Sequence, residues 1–92
     1  MDLLQKLKYK RGVIKTDSKL DTYYQSMLDA AKAELKAEDI SESVLTTEYG
    51  QNCIVHCADL MIDKTDRATN PTMILMKNTL SAQTKGERCS DD

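Results

Sequence analysis

The chain has no phenylalanine and no tryptophan, a single proline and three isolated glycines in 92 residues. Four tyrosines are its only aromatic residues, so a core must be assembled from Leu, Ile, Val, Met and Ala. A chain of this length makes one domain, 1–92, and buries little more than ~60% of its unfolded surface. A core so poor in aromatics gains from oligomerisation. The shortage of glycine excludes a phosphate-cradling loop, because Gly12, Gly50 and Gly86 each stand alone. No apolar run approaches the ~20 residues that a membrane span needs, and no apolar h-region follows Met1. Cys53, Cys57 and Cys89 are odd in number and lack the spacing of a disulfide framework. The expectation is a soluble protein made in a reducing cytoplasm, without a membrane partner.

Charge of one sign is also missing overall. The formal net charge of −2 provides no global basic footprint for nucleic acid. Its distribution is uneven, however. Residues 1–15 carry Lys6, Lys8, Lys10, Arg11 and Lys15 against Asp2 alone, whereas residues 16–63 carry three lysines against ten acids. Such polarity suits head-to-tail packing between copies, an arm beside a phosphate surface, or simply a solvated basic end.

What the sequence does contain is helical periodicity. From Ser18 to Ala37, Leu20, Tyr23, Tyr24, Met27, Leu28, Ala31 and Leu35 fall within one arc at ~100° per residue, opposite a polar face. Ser18 with Asp21 reads as a weak capping box, and four alanines strengthen the run. Ahead of it, Asp2 can cap a two-turn helix, LLQKLKYK, that Gly12 ends, with Val13 and Ile14 in an extended linker tucked against the main helix. Residues 38–47 read as a loop with Ile40 and Val44 turned inward. A helix over about 48–63 follows, its Cys53, Ile54, Val55, Cys57, Ala58, Leu60, Met61 and Ile62 covering more than half its circumference. A helix apolar on most sides is surrounded by others. Asn70 and Pro71 start the last helix, about 71–82, which offers Met73, Ile74, Met76 and Leu80 to the core. Beyond it the lack of apolar periodicity predicts a mobile tail over 84–92. The fold class is all-α: a small bundle of three main helices with a short N-terminal one.

Chemistry-bearing groups are few. Cys53 and Cys57 stand one helical turn apart and could supply two thiolates to a metal, but a structural zinc site wants four ligands. His56 points well round the helix from them, so the thiols read as core residues. His56 is also the only histidine, and adjacent Cys57 and His56 diverge on a helix, which disfavours a nucleophile–base pair. Asp59 and Asp63 could form a carboxylate pair, with no sign of a pocket around it. Met73 and Met76 read as core at helical spacing, or as an adaptable binding face. The sequence thus predicts no enzyme, no cofactor and no metal site.

The order of elements carries a resemblance. VIKTDSKLD leads into a helix of the form LDxYxxxMLDAAKAEL; an acidic loop, the apolar helix IVHCADLMID, a polar connection and a Pro-initiated amphipathic helix follow. Over residues 4–82 this resembles the phage head–tail connector (adaptor) proteins, small all-helical products of tailed-phage and prophage genomes. The chain departs from many members at Leu60, Met61 and Ile62, where they carry aromatic residues. The resemblance implies a ring of about a dozen copies below the portal protein, extending the DNA channel and docking a stopper or tail-completion protein. It implies location at the virion head–tail interface, with the host cytoplasm as the site of assembly, and passage of DNA without sequence-specific binding. It also assigns the portal contact to the C-terminal segment, here Ser81 through the tail. Candidate interface residues are Lys6, Lys8, Lys10, Arg11, Lys15, Asp59, Asp63, Ser81, Lys85 and Arg88.

The competing expectation is a small helical DNA-binding regulator that lays residues 6–15 on phosphates. A helix-turn-helix reader should expose Arg, Lys, Asn or Gln along its recognition helix. The last helix offers only Lys77, Asn78 and Gln83 for that role.

Overall fold

In the computed structural model, which describes residues 2–89 with side chains through Glu87, the chain forms five α-helices. These are α1 (Leu3–Lys10), α2 (Ser18–Ala37), α3 (Glu42–Leu45), α4 (Glu48–Ile62) and α5 (Pro71–Cys89), with no strand among the described residues.

Side-chain caps fix the helix starts. Asp2 accepts the Gln5 N–H at 2.8 Å, Thr47 accepts from Gly50 at 3.1 Å, and Asn70 accepts from Met73 at 3.0 Å, each satisfying a donor that the first turn leaves free. The main helix is capped by Asp17, whose carboxylate accepts from Lys19 and Leu20, and not by Ser18. A carboxylate complements the helix dipole more strongly than a hydroxyl. Gly12 (φ 71) and Lys64 (φ 57) end α1 and α4 in the left-handed region. Val13 N–H reaches back to Lys8 C=O and Thr65 N–H to Leu60 C=O, closing both ends as Schellman motifs.

Helix α4 is the hub. It packs against α1, α2, α3 and α5, with its most extensive interface on α2. Its Cys53, Ile54, Val55, Cys57, Ala58 and Leu60 are buried with Tyr24, Leu28, Ala31 and Leu35 of α2. Leu7 of α1, Ile40, Val44 and Leu45 around α3, and Met73 and Leu80 of α5 complete the core. Met61 and Ile62 pack at its edge.

Four details differ from the sequence reading. Tyr23 and Ile74 are exposed, because each neighbouring surface covers only the centre of an amphipathic arc. Val13 packs against the core but Ile14 is 96% exposed. The acidic connection contains a one-turn helix, α3, capped by Ser41. Finally, the helix expected to stop near residue 82 continues to Cys89, so residues 84–89 are helix, and residues 90–92 lie outside the described part. Thr84 is buried and accepts the Ser41 N–H at 3.1 Å. Glu87 accepts hydrogen bonds from the Ser41 and Ser43 hydroxyls. These tertiary contacts hold the last turns helical where periodicity alone does not.

Candidate interface surfaces

The basic segment is folded back onto the acidic body. Helix α1 presents Lys6, Lys8 and, just past its last turn, Arg11 on the side that faces α2 and α4. Lys8 Nζ lies 2.8 Å from an Asp21 carboxylate oxygen, and Lys6 Nζ donates to Gln51 Oε1 at 3.0 Å. Arg11 makes the densest set of contacts. One guanidinium nitrogen bonds Asp59, another lies 3.1 Å from Asp63, and Nε donates to the Tyr24 hydroxyl at 3.3 Å. Asp63 first, then Asp59, hold the Arg11 pKa above its ordinary value. The planar fork of arginine suits two carboxylates set one turn apart, which Asp59 on α4 and Asp63 at its C-cap provide.

Three of the candidate interface residues, Arg11, Asp59 and Asp63, are therefore brought together within one chain, while Lys6 and Lys8 are engaged separately, by Gln51 and Asp21. Lys10 and Lys15 point outward and are exposed. Ser81 is half-buried and Lys85 exposed on α5, which packs on α3 and α4 and away from this cluster. The Arg88 side chain lies outside the described part. A shallow cleft of about 280 Å³ runs between α1 and the first half of α4, lined by Lys6, Tyr9, Lys10, Glu48, Asn52 and Val55. Ile74 and Leu75 are exposed on α5.

The thiols sit in the core. Burial pushes the Cys53 thiol up to about 11, and burial together with the Glu34 carboxylate pushes Cys57 up to about 12. Cys57 Sγ donates to Glu34 Oε2 at 3.6 Å, and Arg67 Nε holds the same carboxylate at 2.8 Å. A thiol this far above neutrality is a poor nucleophile. Among the described residues no three of His, Cys, Asp and Glu are grouped to hold a metal ion. His56 Nε2 is buried without a hydrogen-bond partner among them.

The partners Asp21, Gln51, Tyr24, Glu34 and Arg67 were missed in the sequence. Their contacts join positions 13 to 45 residues apart, and charge alone does not select among ten acids in 16–63. Among the described residues no helix is long and apolar enough to cross a membrane. Comparisons with protein-family models, curated proteins and solved structures gave no match.

Proposed function

We propose that the chain is a subunit of a phage or prophage head–tail connector. Copies form a ring below the portal protein, extend the DNA channel and dock a stopper or tail-completion protein during virion assembly. The observation that carries this reading is the order of elements. The segments whose pattern resembles the connector family, between residues 4 and 82, are helices in the expected sequence around one apolar helix, α4. The elongated subunit, 48 × 27 × 18 Å, has a shape that can stand beside copies of itself. The role is structural, with DNA passing through without sequence recognition.

The DNA-regulator reading loses support from the ion pairs of the N-terminal segment. Lys6, Lys8 and Arg11 are engaged within the chain, which leaves Lys10 and Lys15 as exposed cations for phosphates. Native mass spectrometry with negative-stain imaging tests the proposal. A closed ring, alone or on added portal protein, is the expected result. A dimer that shifts duplex DNA, with affinity falling steeply as salt rises, would overturn it.

A further inference from the structure

Helix α1 is joined to the body by a segment, residues 14–16, that makes no hydrogen bond among the described residues. All three side chains are exposed, Ile14 at 96%. A Cβ placed on Gly12 would meet no atom within 4 Å, and the turn ahead of this segment is held to α1 itself by the Val13 N–H to Lys8 C=O bond, so it can travel with the helix. In contrast, the seat of α1 is specific. Leu7 is fully buried, Leu3 and Leu4 pack at the core edge, and Lys8, Lys6 and Arg11 find Asp21, Gln51, Asp59, Asp63 and Tyr24. The basic arm and the acidic body are complementary in charge and are connected by this exposed hinge.

We propose that α1 is an exchangeable arm: it leaves its own body and takes the same seat on a second copy of this chain. Arg11 of one copy then clasps Asp59 and Asp63 of the next, and Lys8 pairs with its Asp21. The contacts in the seat are the same in both forms, so exchange adds no new recognition problem and depends on protein concentration and hinge length. Ile14 is 96% exposed in the closed chain. Hinges running side by side in the exchanged form cover it. Reciprocal exchange makes a dimer, and serial exchange links copies head to tail. The inference does not require the connector reading, since arms can exchange in an assembly of any kind.

Charge reversal across two chains tests it. One chain carries Arg11→Glu, the other Asp59→Lys with Asp63→Lys, so that both clasps are restored only when each arm enters the other chain. Equimolar mixing, read by native mass spectrometry, should give species holding equal numbers of the two chains. They should be roughly tenfold more abundant than multimers of either chain alone. Unmixed species, or a statistical mixture of compositions, would overturn the proposal. A ring of statistical composition would do so while leaving the connector reading intact. A second variant guards against misfolding of the reversed chains. Deleting Lys15 and Thr16 shortens the hinge and should convert single chains to multimers with full helical circular dichroism. A single-chain mass with lost helicity would count against exchange.

Discussion

The backbone of Gly50 lies against the carbonyl oxygen of Val44, so that a Cβ at position 50 would overlap that oxygen and stand 2.7 Å from the Leu45 Cα. This is where α3 meets the first turn of α4, and the approach is backbone on backbone, with no flexible side chain to move aside. On an open helix surface, replacing Gly with Ala stabilises by up to ~1 kcal/mol. At Gly50 the sign reverses. Gly50→Ala is expected to destabilise the fold by about 1–3 kcal/mol, read from urea or thermal unfolding by circular dichroism. Gly86 is the internal control: it is helical with open space around its Cα, and Gly86→Ala should raise the melting temperature.

Arg11 is the keystone of the polar seat of α1. Arg11→Ala leaves Asp59 and Asp63, one turn apart, without the cation between them, and should cost about 1 kcal/mol given the partial exposure of the cluster. Arg11→Lys keeps the charge but cannot hold two carboxylates and the Tyr24 hydroxyl at once, so it should recover less than half of the loss. The gap between wild type and Arg11→Ala should narrow in 1 M salt, where the screening length falls to about 3 Å. A gap independent of salt would show that the guanidinium acts through packing instead.

Much of this architecture is legible in the sequence because it follows from local rules. Asn70-Pro71 starts α5, Gly12 ends α1, and the mostly apolar α4 becomes the hub. What could not be read depends on partners distant in the chain. The inward line of α5 runs through Met73, Lys77, Leu80 and Thr84, but a lysine and a threonine interrupt its apolar pattern. Lys77 is satisfied by Glu38 at 2.9 Å and Thr84 by Ser41, and neither pairing has a signature in sequence. The same holds for the basic segment. Five of its cations were visible, but only the fold shows that Lys6, Lys8 and Arg11 are used inside the chain.

The two core thiols set an alkaline limit on stability. In the unfolded chain they ionise near pH ~8.5. In the fold, burial pushes Cys53 up to about 11 and Cys57 to about 12. Below the unfolded value both states hold the proton and the shift has no effect. Above it the unfolded state releases protons that the folded state keeps, so stability falls as pH rises from ~8.5 towards the folded values. Urea midpoints measured from pH 7 to 10 should decline, and Cys53→Ala/Cys57→Ala should flatten the slope even though the cavities lower stability throughout. In a Cys89→Ser background, labelling by a thiol reagent at pH 8 should be slow and should accelerate in parallel with unfolding.

Thr84 decides whether the last turns of α5 belong to the domain. Its hydroxyl accepts the Ser41 N–H at 3.1 Å and donates to the Leu80 carbonyl at 2.9 Å, with the side chain 2% exposed. Thr84→Val fills the same volume but leaves the Ser41 N–H without an acceptor, a loss worth about 1–3 kcal/mol when the group stays out of water. Thr84→Ser keeps the acceptor and removes one methyl group, for a smaller cost of roughly 0.8 kcal/mol. A chain ending at Gln83 loses this bond and the Glu87 acceptors of Ser41 and Ser43 together, and should be less stable than either single variant. The order wild type, Ser, Val, truncation in urea midpoints would establish residues 84–87 as a brace that fastens α3 to α5. Equal midpoints for Val and wild type would mean that the Ser41 N–H finds water as readily as Thr84, and that the brace contributes nothing.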